Sequence, residues 1–145
     1  MPVTDEMVAP LRALLTRRYE EHDRLFGILD PKAKNPGYRV LVSAAFVVAV
    51  ERRFSPDVKP EEVIEFVADA RSRSPHFADR MDPVIAERVV LAAVTGQSLD
   101  DIDPRTSWEA QSVLMSAIVG SEGLDDAGLN AFLAEARKLA DEWLA

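Results

Sequence analysis

Apolar residues along most of this chain recur every three or four positions, the spacing of one helix face. Leu11, Leu14, Leu15, Leu25, Phe26 and Leu29 mark a first helix ending near Leu29. Its start has two readings. Thr4 can cap it, which puts Pro10 beyond the first turn where it should kink the helix, or the helix begins at Pro10 itself. A breaker-rich loop from Asp30 to Gly37 follows. The stretch Val40–Val50 is apolar on nearly every face, as a surrounded central helix should be. Its valines also suit a buried strand. Ala44, Ala45 and Ala49, with the polar continuation Glu51-Arg52-Arg53, favour a helix from about Tyr38 to Phe54.

Proline and aspartate mark the later boundaries. Pro60 suits a first helical position, with Glu61 and Glu62 in the turn where the helix dipole favours anions. Val63, Phe66, Val67 and Ala70 form that helix's stripe, and Ser72–His76 reads as a break. Asp82-Pro83 opens a fourth helix that stops at Gly96, and Asp103-Pro104 opens a fifth carrying Trp108, Leu114, Met115 and Ile118. Gly120 and Gly123 punctuate. Asp125 or Asp126 caps a sixth, whose stripe runs from Leu129 to Trp143. The expectation is an all-α single domain over residues 1–145, a compact bundle of about six helices with no strand pair.

Two blocks of this pattern occur twice. Val40-Leu41-Val42-Ser43-Ala44 matches Val113-Leu114-Met115-Ser116-Ala117, and Phe66-Val67-Ala68-Asp69-Ala70-Arg71 matches Phe132-Leu133-Ala134-Glu135-Ala136-Arg137. The offset is 73 residues in the first pair and 66 in the second, so the later copy has the shorter connection. Valine, leucine and alanine fill any buried helix, so short matches also arise by composition. If the chain is instead two related three-helix halves, paired blocks should sit in like environments.

Charge narrows the classes of partner. The net charge is -8. Residues up to Arg73 are neutral overall, so the whole excess lies beyond them. A nucleic-acid binder needs a cationic surface, and this balance argues against one. An acidic face suits solubility or a basic partner. With no cysteine, disulfide scaffolds, thiolate metal sites and cysteine nucleophiles are excluded. The first residues do not read as a signal peptide, and Val40–Val50 is about half a membrane span, so a cytoplasmic protein without membrane contact is expected. The excess of arginine over lysine suits a GC-rich, bacterial genome.

Candidate chemistry is sparse. His22 shares its helix face with Arg18, Tyr19, Leu25 and Phe26, none a second metal ligand, so it reads as a residue at the core boundary. Glu61, Glu62, Glu65 and Asp69 stack on one face without the Glu-x-x-His pairs of carboxylate-bridged metal sites. Arg73, four residues after Asp69, suits an ion pair. Asp100–Asp103 lacks the glycine and glutamate of a calcium loop. Ser98 with Asp101 has the form of a capping box instead. Gly96–Ile102 has the form of a helix-turn-helix turn, but three aspartates and Pro104 stand where a basic recognition helix should begin. No catalytic, cofactor-binding or metal residue is therefore assigned, and no cofactor is expected.

Two sets of side chains remain. Arg71, Arg73, His76 and Arg80 form the one locally basic patch, a candidate contact for a phosphate, a carboxylate or a partner. Trp143 and Leu144 end the last helix, where few neighbours remain to cover them, and are candidate interface anchors. The leading expectation is a non-enzymatic interaction or regulatory protein, forming a homo-oligomer or docking a protein partner. The alternative is a small-ligand binder or enzyme using a pocket between helices. Tyr38, Arg39, Glu51 and Arg52 flank the central helix and would reach such a pocket.

Overall fold

Four helices begin at a proline, a residue whose missing N–H costs nothing in the first turn and whose φ is already helical. In the computed structural model, which describes residues 1–145 apart from the side chain of His76, the helices are α1 (Asp5–Leu15), α2 (Tyr19–Gly27), α3 (Arg39–Arg53), α4 (Pro60–Arg73), α5 (Pro75–Arg80), α6 (Pro83–Thr95), α7 (Pro104–Glu122) and α8 (Asp126–Leu144). Asp82 caps α6 by accepting from the Val84 and Ile85 amides, and Asp125 caps α8 by accepting from Gly128. Gly96 ends α6 at φ 77°, a left-handed conformation that suits glycine.

The all-helical expectation holds among the described residues, but the count is eight rather than about six. The first predicted helix is two. α1 ends in a Schellman turn, where the Arg17 amide bonds to the Leu14 carbonyl and the Arg18 amide to the Ala13 carbonyl, with Arg17 at φ 61°. Apolar spacing runs through this break because Leu11 and Phe26 both face inward, so periodicity did not reveal it. Thr4 stands at the N-cap and Pro10 lies inside α1, which settles the start in favour of the earlier position. The second addition, α5, occupies part of the segment read as a break. Ser74 caps it by accepting from the Phe77 amide at 3.3 Å, and Phe77 is buried. Six residues are too few to show a helical period. Between α2 and α3 the chain passes through a kinked segment, Ala33–Tyr38, interrupted by the extended residue Asn35. α7 runs through Gly120 without a break.

Packing gathers the chain into two compact units. One comprises Met1–Val48 with Val119–Ala145, the other Ala49–Ile118. In the first, Leu11, Leu41, Phe46, Phe132 and Leu133 are buried. In the second, Val50, Val63, Val67, Val90, Leu114 and Met115 are. Each such side chain contributes about 1.5–3 kcal/mol by leaving water. α3 is buried at almost every position from Leu41 to Val50, as its uniform apolar character predicts. Each unit joins the opening helices of one predicted half to the closing helix of the other: α1 and α2 with α8, α5 and α6 with α4.

The repeated blocks occupy like environments. Leu41 and Leu114 are buried, as are Val42 and Met115, while Ser43 and Ser116 are half-buried. In the second pair Val67 and Leu133 are buried, Ala68, Ala134, Asp69 and Glu135 are exposed, and Arg71 and Arg137 are half-buried. Three pairs differ: Ala44 is buried where Ala117 is half-buried, and Phe66 and Ala70 are half-buried where Phe132 and Ala136 are buried.

Candidate functional site

The geometry offers three places to look. The first is aromatic. Tyr38, at the end of the kinked segment, is 1% exposed. A buried phenol needs a hydrogen-bond partner, and α2 supplies one in His22, whose Nε2 stands 3.0 Å from the hydroxyl. Its Nδ1 lies 3.1 Å from Asp23 Oδ1. With Nδ1–H donated to that carboxylate, Nε2 accepts from the Tyr38 O–H. Adjacent helix residues do not normally face each other, so spacing gives no signal for this contact. Phe26 completes the cluster, stacked on His22 at 6.1 Å and tilted against Tyr38 at 5.3 Å, with Lys34 Nζ 5.5 Å from its ring centre. Burial pushes the Tyr38 hydroxyl well above the ordinary phenol range. The arrangement satisfies an interior hydroxyl and ties α2 to the start of α3.

The second place is the basic patch at the junction of α4 and α5. Arg73 is paired with Asp69 across 3.0 Å, the ion pair expected from their spacing, and both are solvent-exposed. Arg80 is also engaged. The His76 side chain lies outside the described residues. Arg71 differs from them. It is half-buried, its Nη2 reaches the Ala78 carbonyl at a long 3.4 Å, and its Nε is buried with no hydrogen-bond partner. The patch is thus one incompletely satisfied guanidinium among engaged neighbours.

The third place is the end of α8. Trp143 is 48% exposed, and Leu144 is half-buried. The N-terminus comes to the same point: the Met1 ammonium donates to the Leu144 carbonyl at 3.4 Å, and the Met1 side chain is 45% exposed. Behind Met1 the chain is tightly held. Val3 is buried, its amide donates to Asp141 Oδ1 at 2.6 Å, and Arg137 donates to the Val3 carbonyl at 2.8 Å and to Asp5 Oδ1 at 2.6 Å. A shallow open depression runs along α8 past Ala134, Lys138, Glu142 and Ala145.

Other sequence candidates separate. Arg39, Glu51 and Arg52 lie at the surface and Tyr38 is committed to His22, so these four do not line a common pocket. Ser98 does not form a capping box. Its hydroxyl accepts from the Asp100 amide, while Asp101 receives a two-pronged bond from Arg88, both distances 2.8 Å. Asp103 caps α7 through the Thr106 amide at 3.1 Å. Among the described residues no group of three or more histidine and carboxylate side chains stands together to hold a metal ion. No helix is long and apolar enough to cross a membrane.

Sequence reasoning missed the His22–Tyr38 bond because the two residues lie in elements with no shared periodicity. The buried Arg71 Nε had a faint signal, since Arg71 closes the repeated block just as Arg137 does. No protein-family model, no curated protein and no solved structure matches this chain significantly.

Proposed function

We propose that this is a non-enzymatic protein-interaction module whose contact surface includes the meeting point of its two termini. One observation carries the reading: Trp143, the largest side chain of α8's last turn, stands nearly half exposed, next in sequence to Leu144, whose carbonyl accepts from the Met1 ammonium. Tryptophan is enriched among the residues that dominate binding energy, because its broad apolar surface loses little conformational freedom on burial. The backbone around it is pinned by Val3, Asp5, Arg137 and Asp141, so the surface is held in shape before a partner arrives. The side-chain chemistry is consistent with binding rather than turnover. The linked polar side chains Asp23, His22 and Tyr38 end in a buried hydroxyl.

The test is a photo-crosslinking phenylalanine analogue in place of Trp143. The expected result is a saturable adduct with one identifiable protein, either this chain or another, competed by excess native chain and not by Trp143→Ala. The same analogue at exposed Ile64 serves as the control. Absence of any saturable protein adduct at position 143 would overturn the reading.

A further inference from the structure

Every residue of α2 is at least partly open to solvent, and its inward side is only the half-buried set Glu21, His22, Leu25 and Phe26. The helix is entered through Arg17, at φ 61°. Glu21 and Arg24 bond to each other rather than to the rest of the unit. The side chain that ties α2 to the chain beyond it is His22, whose Nε2 stands 3.0 Å from the Tyr38 hydroxyl.

That bond depends on the charge of the ring. A carboxylate only accepts, so the Nδ1 facing Asp23 carries the single proton of the neutral imidazole. Nε2 is then a lone pair and receives the Tyr38 O–H. A second proton would sit on Nε2 and turn the acceptor into a donor. The phenol oxygen can accept from it, but the phenol's own hydrogen is then turned into the interior, where Tyr38 is 1% exposed. No second acceptor bonds that hydroxyl among the described residues. A buried O–H without an acceptor is costly.

The surrounding charges do not offset this. Asp23 favours the imidazolium, but its carboxylate is 82% exposed and screened by water. Lys34, from the kinked segment, sets its ammonium over Phe26, the ring on which His22 stacks, and opposes a second cation there. α1 packs on α2 as well, yet its Asp5 is spent on Arg137, its Arg12 on Asn130, and Glu6 is exposed. Arg18, one turn before His22, and Arg39, beside Tyr38, are exposed like charges.

We infer that His22 and Tyr38 form a proton-sensitive latch. The neutral imidazole holds α2 against the start of α3, and the imidazolium lets the helix loosen while the rest of its unit stays folded. Loosening brings water to the orphaned hydroxyl and uncovers Leu25 and Phe26. Closure is linked to the unprotonated ring, so opening grows as the pH falls through the range in which histidine titrates.

Hydrogen exchange of the full chain at about pH 8 and about pH 5 tests this, compared as protection factors so that the intrinsic pH dependence of exchange cancels. The α2 amides are expected to lose about tenfold in protection at the lower pH, and the α8 amides to keep theirs. Tyr38→Phe has no hydroxyl to orphan, so its α2 protection should be the same at both values. If that variant does not fold, His22→Gln, which still accepts the O–H but takes no proton, should show the same constancy. His76→Gln removes the chain's other histidine and should leave the native response intact. Unchanged or raised α2 protection at the lower pH would overturn the inference. So would an equal fall in α8, a fall of the same size in Tyr38→Phe or His22→Gln, or loss of the response in His76→Gln.

Discussion

Tyr38 carries its hydroxyl into the interior of its unit, and His22 is what makes that placement tolerable. Removing the hydroxyl and removing its partner are therefore unequal changes. Tyr38→Phe deletes a bond and leaves no orphan in the core, at a cost of about 1 kcal/mol. His22→Ala leaves a buried O–H without an acceptor and strips the stack from Phe26, at a cost of about 1–3 kcal/mol. The double variant should cost less than the sum, because the orphan disappears with its hydroxyl. Urea denaturation of the three variants checks this, and additive costs would show that the bond contributes nothing. Backbone conformation gives a second prediction. Arg17 sits at φ 61°, where a side chain costs roughly 1–2 kcal/mol. Arg17→Gly should raise stability by up to about 1 kcal/mol, whereas Gly96→Ala, at φ 77°, should lower it by about the same amount. Thermal unfolding measures both. The glycine was legible in the sequence as a helix stop. The arginine was not, because nothing in an arginine announces a left-handed turn.

At the scale of elements, local chemistry was the reliable guide and periodicity the less reliable one. α4, α6 and α7 begin at the prolines chosen for them, and α8 takes its cap from Asp125. These signals are legible because they depend on one or two residues and on the backbone alone. The α1–α2 break was hidden because half-buried residues resume at helical spacing in α2 after the exposed stretch Thr16–Glu20, and α5 was hidden because six residues are too few to show a period. Electrostatics at this scale is modest and testable. Arg88 on α6 holds Asp101, before α7, with two bonds, and chiefly through that hydrogen bonding the Asp101 carboxyl lies below the usual carboxylate range. A carboxyl lowered by folding stabilises above its unfolded pKa, about 4, and loses that contribution as the pH falls through its folded value. Native chain and Asp101→Asn should therefore differ slightly in midpoint temperature at neutral pH and converge in acid. The pair is solvent-exposed, so added salt should narrow the difference too. A difference that persists in acid would place its origin elsewhere.

At the scale of the whole molecule, the repeated blocks explain more than the helix count does. They were visible in sequence as two short matches, and the structure gives them matching burial at most positions, with Ala44/Ala117, Phe66/Phe132 and Ala70/Ala136 as exceptions. The sequence could not show that the compact units cut across the halves, because that depends on which helices pack together rather than on which resemble one another. Nor could it show that the two closing arginines diverge, one bonded to the N-terminal segment and one with a buried N–H unmet. The basic patch was legible as a cluster of charges. Within it Arg73 pairs with Asp69, Arg80 is also engaged, and Arg71 is half-buried.

The central structural claim is that Arg137 ties the N-terminal segment to α8 while Arg71, at the same place in the other block, carries an unmet buried N–H, and the stability of two matched variants tests this directly. Arg137→Met breaks two charge-assisted bonds that hold the N-terminal segment at a partly exposed site, and is expected to cost about 1–2 kcal/mol. Arg71→Met removes a cation with no described counter-ion and an unmade hydrogen bond, and is expected to leave the unfolding free energy unchanged or raise it. Equal losses from the two substitutions in chemical denaturation would contradict the account, since Arg71 would then be as much a part of the fold as Arg137.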